Sequence, residues 1–581
     1  MFTQKLKQKM KTTNQQHTII RRWKAAALSC LLSVTTFVPA SSLWAQDSLL
    51  LRNYSYITQA DPWLTGSNTA AITRYDAANI AEAELSLNAQ KGGFTNFSDA
   101  KKGIETKAGI ESFYRVSRRT VLFGAMSFVS FSGKDMAGSV FMPQKDLNLP
   151  FDIVEDSLTN TGTKRRDTYR LTGAFGSEIY RGMAIGARVD YIAANYAKYK
   201  DLRHQNKLMD LQLSAGIYIP LTTWMNIGAN YLYRRNVESL NFSTFGNNDK
   251  VYKSLADYGA MMGHVEQFGN DGYTTRSHEL PLVDDFEGGS AQFEIKFAPV
   301  TRFFNTFTYA HRTGYYGSRS PYTITYAEHE SDVFQYKARL TTAEQHTLTY
   351  CDFYLNIENL TNRGNTYREL QNASKATYYE YYVPVKLSNK FWMNCGLAYT
   401  LHLGLRTKQQ QTGSLSDTQT DKNSYSDALP TWTLQAGANW MQRRQTAYLY
   451  PYYRRQDIAS QELFANATYH LLKRKGLWSF TVSGQLLSGE GKPYEDLTFE
   501  TPSDRQQPPA TMEAWLMREH QYLTASQYAV CGQVKYSFIL SNTRLKPHVR
   551  LSLSHRKANN TNNYSNGCDQ LQGSIAVGCT F

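Results

Sequence analysis

Alternation of apolar and hydrophilic residues over a long stretch is the feature that most constrains the fold of this chain. In residues 390–407, KFWMNCGLAYTLHLGLRT, every second position from Phe391 to Leu405 is apolar or aromatic, and the positions between them are small or polar apart from Trp392. A period of two predicts a β-strand with one apolar face and one hydrophilic face. Strands of soluble proteins average about 5–6 residues, whereas a strand that crosses a membrane needs about 9–11. The segment therefore predicts a transmembrane β-strand.

The same pattern recurs from about residue 82 to residue 581. Counting the runs predicts an all-β fold, a transmembrane antiparallel β-barrel of about 20 strands with a range of about 18–22. The connections alternate in length: those at 117–118, 179–181, 220–221, 299–300 and 388–389 are short, and those at 134–165, 237–288, 314–330 and 408–429 are long. Short periplasmic turns and long extracellular loops are typical of outer-membrane barrels, and an even strand number predicts both chain ends in the periplasm.

The first 45 residues predict a cleaved secretory signal peptide. A basic region precedes the apolar core 25–38, and small residues lead to a predicted cleavage between Ala45 and Gln46. A lipoprotein-type site at Cys30 and a twin-arginine signal at Arg21-Arg22 are the alternative interpretations. The predicted organisation is a leader at 1–45, a short periplasmic or lumenal segment at 46–81 and an outer-membrane barrel at 82–581.

Charge and cysteine content argue against several classes of protein. The formal net charge is +14, and seven of the positive charges lie in the predicted leader, which leaves +7 on the rest of the chain. This excess, without a basic run interleaved with aromatic residues, predicts no nucleic-acid partner. The six cysteines form no CxxC pair, so they predict neither a zinc site nor a disulfide framework. No cofactor is expected.

Charged residues on the hydrophilic phase of the strands are candidates for lining the lumen. Opposite charges across a barrel interior can brace the wall or line a polar path for a solute, and the sequence leaves both interpretations open. The candidates are Glu105, Lys107, Glu111, Arg115, Arg188, Asp190, Glu294, Lys296 and Arg406.

No constellation of residues predicts an enzyme. His278 and His329 each precede a glutamate in predicted loops, but neither has the HExxH spacing of a zinc site, and no GxSxG elbow or phosphate-binding loop occurs. In VDDFEGG, the acids Asp284, Asp285 and Glu287 lie beside two glycines in the longest predicted loop and are candidate calcium ligands. A solvated acidic loop is the alternative interpretation.

The carboxyl-terminal run LQGSIAVGCTF ends on Phe581. A last strand that ends on phenylalanine resembles the assembly signal of bacterial outer-membrane proteins, which implies the barrel-assembly machinery and outer-membrane lipids as partners. Together with the Ala45-Gln46 leader end and the tyrosine-rich strands, the chain resembles outer-membrane barrels of Bacteroidota. Among these it resembles a family of about this length that is defined only as a domain of unknown function.

A second resemblance concerns the segment before the first strand. The stretch GSNTAAI at 66–72 is similar to the amino-terminal segment of long-chain fatty-acid transporters, where Asn-Pro-Ala is usual; here Thr69 follows Asn68, and those barrels have fewer strands. TonB-dependent receptors differ more, because they carry a folded plug domain before a 22-stranded barrel. The 36 residues at 46–81 are too few for such a plug, so a plug would have to come from a partner chain.

About 20 strands enclose more space than side chains alone can fill, which favours a transport or channel barrel for a small solute. The connection 237–288 would then fold inward as a constriction or lid. The alternative is a docking or assembly barrel whose tyrosine-rich loops hold a surface lipoprotein or a secreted partner. A barrel enzyme is the third class, and no catalytic residue is assigned to it.

Overall fold

Eighteen antiparallel strands of the described chain close into one barrel. The computed structural model describes residues 53–75, 79–155, 161–245, 250–269, 272–276, 278–344, 346–405, 429–473, 475–506, 508–509, 511–540, 543, 545–559 and 567–581. The wall strands are β1 (Ile80–Gly92), β2 (Lys102–Arg115), β3 (Thr120–Met136), β5 (Gly162–Tyr180), β6 (Met183–Lys198), β7 (Arg203–Pro220), β8 (Met225–Ser243), β11 (Leu280–Ala298), β12 (Thr301–Gly317), β13 (Thr325–Ala343), β14 (Thr347–Gly364), β17 (Val385–Leu403), β18 (Trp432–Leu449), β19 (Tyr452–Lys473), β20 (Gly476–Glu490), β22 (Gln527–Phe538), β23 (Lys546–Ala558) and β24 (Asp569–Thr580). Each wall strand pairs with the next, and β24 pairs with β1, so the wall has no free edge.

The remaining described elements lie outside the wall. The strands are β4 (Asp152–Glu155), β9 (Lys253–Gly259), β10 (Met262–Gln267), β15 (Tyr367–Gln371), β16 (Thr377–Tyr381) and β21 (Glu495–Thr498). The helices are α1 (Tyr54–Ala60), α2 (Glu513–Thr524) and the 3-10 helices Pro62–Leu64 and Thr69–Arg74. Strands β10, β9 and β4 form a separate sheet, β15 and β16 form a hairpin, and β21 extends the pairing of β19. Among the described residues, no helix is long and apolar enough to cross a membrane.

The barrel closes where its first and last strands meet. The amide of Ala81 donates to the carbonyl of Phe581 at 2.7 Å, and the amide of Phe581 donates to the carbonyl of Ala81 at 2.9 Å. Further along the seam Leu85 lies opposite Val577. Phe581 therefore takes part in closing the barrel, and its recognition by the assembly machinery stays a prediction.

The predicted antiparallel β-barrel is confirmed, with 18 strands in place of the expected 20. Residues 388–389, predicted as a turn, lie inside β17, and the run near 374 belongs to the β15–β16 hairpin. The runs near 430, 444 and 460 form two strands, because the polar stretch around Arg444 continues β18 and pairs with Asp457 of β19 at 3.4 Å. In each case a hydrophilic stretch of a strand was interpreted as a turn.

These boundaries also change the side assigned to one connection. The barrel has a turn end, with the short connections 181–182 and 299–300, and a loop end opposite. The connection between β17 and β18, predicted as a long extracellular loop at 408–429, joins strands whose paired ends, Leu403 and Trp432, lie at the turn end. Because one strand too many was predicted before this point, the connection was assigned to the wrong end of the barrel.

The outer surface carries an apolar belt bounded by aromatic residues. On β17, Leu397 and Tyr399 are 53 % and 48 % exposed, as the predicted outward phase requires. Tyr169 and Tyr180, both exposed, mark the two ends of the belt on β5, eleven residues apart. At a rise of about 3.3 Å per residue and a tilt of about 40°, this spacing is about 28 Å, close to the roughly 30 Å of a bilayer's hydrocarbon core.

Candidate functional site in the barrel lumen

Residues 53–75, here called the lumenal segment, lie inside the barrel at its turn end. The segment begins with α1, which is capped by the side chain of Asn53, and continues through the two 3-10 helices. Tyr75 stacks on Phe113 of β2 with ring centroids 5.0 Å apart, and Tyr56 packs edge-on against His402 of β17 at 5.3 Å. The segment therefore reaches strands that are far apart around the wall.

Asn68 ties the lumenal segment to the wall. Its side chain is 2 % exposed, and Nδ2 donates to the carbonyl oxygen of Ile217 at 2.8 Å and to Oε1 of Gln292 at 2.9 Å. Its Oδ1 accepts the amide of Ala70 at 3.2 Å, which caps the 3-10 helix Thr69–Arg74. One side chain thus begins a helix and binds both β7 and β11.

A row of glycines in the wall receives this part of the segment. Gly176, Gly186 and Gly216, here called the glycine row, lie directly opposite one another on β5, β6 and β7. A Cβ atom on Gly186 would stand 2.4 Å from the nitrogen of Ala70, and one on Gly216 would stand 2.4 Å from Oδ1 of Asn68. Such contacts are far inside van der Waals distance, so the segment can approach the wall only where side chains are absent.

Charged and aromatic groups fix the segment beside the glycine row. The indole nitrogen of Trp63 donates to Glu294 at 2.7 Å, and Arg74 lies 3.6 Å from the same carboxylate. Arg74 also donates to Asp61 at 3.0 Å. Burial raises the pKa of Asp61, but the positive charges of Arg74 and Arg302, together with the hydrogen bonds from Trp63 and Arg74, outweigh this effect, so the pKa falls below its ordinary value. Asp61 therefore stays charged and braces the two 3-10 helices against each other.

Three predicted lumen residues contact the lumenal segment. Glu294, on β11, accepts the bond from Trp63 described above. Glu111 accepts a hydrogen bond from the hydroxyl of Tyr54 at 3.0 Å, and Arg115 donates to the carbonyl of Thr73 at 3.2 Å. The sequence pattern identified these three as lumenal, but it did not indicate that they hold the chain's own amino-terminal part.

Other predicted lumen residues pair with each other or with neighbouring strands. Arg188 donates to Asp190 at 2.6 Å within β6, and Glu105 lies 3.7 Å from Arg166 of β5. These pairs fit the bracing interpretation. Lys107 of β2 and Lys296 of β11 lie on the inward phase of their strands and are exposed. Arg406 lies outside the described residues.

Residues 137–150, here called the inserted loop, run along the inner wall nearer the loop end. Inward-facing side chains of the wall bind its backbone: Glu238 accepts the amide of Met142 at 2.7 Å, and Lys390 donates to the carbonyl of Leu149 at 3.2 Å. The connection 237–288 was predicted to fold inward as a constriction or lid. Part of it does lie against the inner wall, because Arg454 of β19 donates to the carbonyl of Ala260 at 3.0 Å. The inserted loop lies there as well, and β9 of the later connection pairs with β4, which follows the inserted loop in sequence.

A buried ionic cluster anchors the inserted loop. Arg312 is fully buried and binds Asp284 at 2.7 Å and Glu358 at 2.9 Å. It also donates to the carbonyl of Asn148 at 2.8 Å. His329, predicted in a loop, lies in β13 with Nε2 2.6 Å from Asp284. Removing Arg312 would leave two carboxylates buried together without their main counter-charge.

The three candidate calcium ligands do not converge. All three lie in strand β11 rather than in a loop, because the apolar belt ends before the strand does. Asp284 faces the lumen and Arg312, whereas Asp285 faces outward and pairs with Arg235 at 2.9 Å. Glu287 is exposed on the same face as Asp285, as the alternation of a strand requires. Within the described residues, no group of three or more His, Cys, Asp or Glu side chains is placed to hold a metal ion.

Strands β4, β9 and β10, here called the cap sheet, pack with α2 at the loop end. Trp515 of α2 lies in one buried apolar cluster with Leu255 of β9. Asp152 and Asp257 lie directly opposite each other on β4 and β9. Burial raises the pKa of Asp152 to about 7, with a further contribution from the charge of Asp257, and burial raises the pKa of Asp257 to about 6. Two facing acids thus make the cap sheet sensitive to pH.

Neutral polar side chains cover the middle of the inner face of β20, β22, β23 and β24. On the same face, Lys535 and Arg550 nearer the turn end pair with Glu82 and Glu84 of β1, and Arg556 nearer the loop end donates to Tyr522 at 2.9 Å. The hydroxyls of Ser552 and Ser574 lie 2.6 Å apart across β23 and β24, and Gln485 and Gln572 are exposed. The opposite phase is apolar and faces outward, as with Leu551 at 53 % exposure. This inner surface, here called the polar wall, comprises Thr481, Ser483, Gln485, Gln533, Ser552, Ser554, Gln572 and Ser574.

Sequence reasoning missed the residues that fix the inserted parts. Trp63 and Arg74 lie before the first strand, where no period of two applies. Arg312 lies on the inward phase of β12, so the alternation could have marked it as lumenal. Its partner Asp284 was hidden by the assignment of that stretch to a loop.

Several solved barrels are similar to this chain at low sequence identity. The ferric preacinetobactin receptor BauA of Acinetobacter baumannii shares 7 % identity and a TM-score of 0.37, with 86 % of this chain and 80 % of that chain covered. The outer membrane transporter YddB of Escherichia coli shares 7 % identity and a TM-score of 0.38, with 86 % and 81 % covered. The Ralstonia pickettii toluene transporter TbuX shares 11 % identity and a TM-score of 0.29, with 91 % and 98 % covered.

No curated protein matches the sequence. A family match, in contrast, spans the whole barrel and begins within the lumenal segment, at the residue after Asn68. Residues 69–581 match the family of unknown function DUF6850, and the chain belongs to that family.

Proposed function

We propose that this protein lies in the outer membrane and conducts small neutral polar solutes through its lumen, with the lumenal segment as the gate at the turn end. The observation that carries the proposal is the way the segment is seated. Side-chain contacts, among them those of Asn68, Trp63 and Arg74, hold a short helical piece of chain inside a polar barrel without a strand ladder to the wall. A piece held in this way can leave without unfolding the wall.

The outer surface supports the membrane location. The apolar belt on β5 spans about 28 Å between Tyr169 and Tyr180, close to the thickness of a hydrocarbon core. Closure between β1 and β24 leaves no strand edge in contact with lipid, which a spanning sheet requires.

The polar wall supports a neutral solute. Hydroxyl and amide groups can exchange hydrogen bonds with a passing solute, whereas an ion would favour a path with a net charge. Inward-facing charges such as Arg188 and Asp190 are paired instead, which reduces their pull on an ion. A sugar-sized solute fits this chemistry best.

Conductance in planar bilayers tests the gate. We compare the full-length protein with a variant that lacks residues 53–75 and with a control that lacks the β15–β16 hairpin, 367–381. The first deletion is expected to increase the conductance several-fold and to speed the swelling of liposomes in neutral sugars, and the control is expected to behave like the full-length protein. Heat-dependent migration on gels verifies that each barrel is folded. A folded variant without the segment that neither conducts nor admits sugars would refute the proposal.

The docking alternative rests on the hairpin β15–β16. Tyr367, Tyr381 and Tyr382 are 36 %, 39 % and 52 % exposed, and Val383 beside them is 85 % exposed. An exposed group of tyrosines suits protein recognition. Affinity purification from native membranes tests this function: a surface lipoprotein or secreted partner should accompany the full-length protein and be lost with the hairpin. Recovery of the barrel alone from both preparations would count against it.

A further inference from the structure

Three lysines stand directly opposite one another on neighbouring strands of the outer surface. Lys91 of β1 lies opposite Lys102 of β2, and Lys102 lies opposite Lys134 of β3. All three side chains are exposed. They follow the outward phase of their strands, two positions beyond residues such as Ile104, which is 56 % exposed. The lysine row, as we call it, therefore faces away from the lumen near the loop end.

Such a row is unfavourable by itself. Directly opposite side chains have Cβ atoms about 4.5–5.5 Å apart, and like charges in this arrangement destabilise a sheet. Among the residues that the structure describes, no acidic side chain forms an ion pair with any of the three lysines. The acid diagonally across from Lys91, Asp569, faces His555 at 3.9 Å.

Elsewhere on the same outer rim, opposite positions carry opposite charges. Arg235 of β8 lies opposite Asp285 of β11 and binds it at 2.9 Å. Arg444 of β18 lies opposite Asp457 of β19 at 3.4 Å. The pattern of the rim is thus cross-strand pairing, and the lysine row departs from it.

The position of the row indicates what neutralises it. On β1 the outward residues Leu85 and Leu87 are 44 % and 45 % exposed and belong to the apolar belt, and Lys91 follows two outward steps later. At about 3.3 Å per residue and a tilt of about 40°, the Cα atom of Lys91 lies about 10 Å beyond that of Leu87, and the Cα atom of Lys102 lies about 5 Å beyond that of Ile104. This is the level of the headgroups of the surrounding lipid.

We propose that the lysine row binds the phosphate groups of a phosphorylated lipid headgroup in the leaflet at the loop end. Each ammonium group is a compact cation with three donors, and a phosphate brings up to two negative charges and several acceptor oxygens. One such headgroup can neutralise several neighbouring lysines at once. Arg165 of β5, exposed beside β3, extends the cationic surface by one strand. The inference rests on the proposed membrane location and not on transport.

The test measures lipid binding by the full-length protein in uncharged detergent. Titration with bis-phosphorylated lipid A, followed by microscale thermophoresis, is compared with titration with the same lipid after removal of its phosphates. The variant carries Lys91→Gln, Lys102→Gln and Lys134→Gln. Its matched control carries Arg118→Gln, Arg119→Gln and Arg181→Gln, which remove the same charge from exposed positions at the turn end.

The phosphorylated lipid is expected to bind the full-length protein and the control equally well. Because each lysine near an anionic surface contributes about fivefold, the lysine variant should bind on the order of 100-fold more weakly. Equal binding of the dephosphorylated lipid, or an unchanged affinity of the lysine variant, would overturn the proposal. Displacement of the lipid by millimolar inorganic phosphate would also overturn it, in favour of a site for the free anion.

Conductance of the lysine variant separates this proposal from the transport function. The three lysines face lipid, so the current through the variant should equal that of the full-length protein whether or not lipid binding is lost. A result that refutes the lipid site would therefore not refute the proposed gate, and a result that refutes the gate would not refute the lipid site.

Discussion

Replacing Asn68 by alanine should release the lumenal segment without disturbing the wall. The substitution removes the donor bonds of Nδ2 to Ile217 at 2.8 Å, to Gln292 at 2.9 Å and, more weakly, to Ala229 at 3.4 Å. It also removes the cap on the amide of Ala70. The amide of Gln292 is 4 % exposed, so its oxygen loses a partner where water has little access. The barrel strands keep their own ladder.

The magnitude follows from the acceptors that lose their partner. A buried acceptor left without a donor costs about 1–3 kcal/mol, so the acceptors on Ile217 and Gln292 together give about 2–6 kcal/mol. Since every 1.4 kcal/mol is tenfold, the ratio of detached to docked segment should rise about 30- to 20,000-fold. The same substitution at Asn53 removes a single cap on Tyr56 at 3.3 Å and serves as the control.

Thiol labelling measures the detached fraction. Thr69 is 2 % exposed, so Thr69→Cys in a background without the native cysteines should react with a maleimide only when the segment leaves the wall. The labelling rate should rise by the factor above for Asn68→Ala and by much less for Asn53→Ala. Equal rates for the two variants, with both barrels folded, would refute the role assigned to Asn68.

Three further changes test the wall, the cap sheet and the ionic cluster. Gly216→Val should expel the segment even with Asn68 intact, since a Cβ there stands 2.4 Å from Oδ1 of Asn68, and Thr69→Cys labelling in that variant should be fast. Burial raises the pKa of Asp152 to about 7, so the folded cap sheet favours the protonated acid and loses stability as pH rises from about 4 through 7. Amide hydrogen exchange of β9, corrected for intrinsic rates, should become faster over this range. The variant Asp152→Asn should reduce this pH dependence. Arg312→Met leaves buried carboxylates uncompensated and should lower the free energy of unfolding by about 3–5 kcal/mol, measured by urea titration, so an unchanged midpoint would contradict the cluster's role.

The sequence predicted the wall better than its contents, for a physical reason. Alternation reports which face of a strand meets lipid, so the outward phase of β17, with Leu397 and Tyr399 exposed, could be assigned directly. The same rule fails where strands continue beyond the belt. There, stretches such as the one around Arg444 are polar on both faces and look like turns.

The candidate site depended on contacts that no local pattern encodes. Glu294 was placed in the lumen by its phase, but its partner Trp63 lies 231 positions away in the sequence. Asn68 drew attention only because GSNTAAI is similar to the amino-terminal segment of long-chain fatty-acid transporters. The glycine row opposite it cannot be recognised from the sequence of any single strand. Register between strands, which creates that row, is fixed by the whole barrel and not by any one segment.

The glycine row also determines where a path would run. Because Gly176, Gly186 and Gly216 have no side chains, departure of the lumenal segment leaves a trough that neighbouring residues cannot refill. Water entering there would be bounded on one side by bare peptide groups of β5 to β7. The passage would therefore run along one side of the barrel and not along its axis. It would select solutes by their width before they contact any side chain.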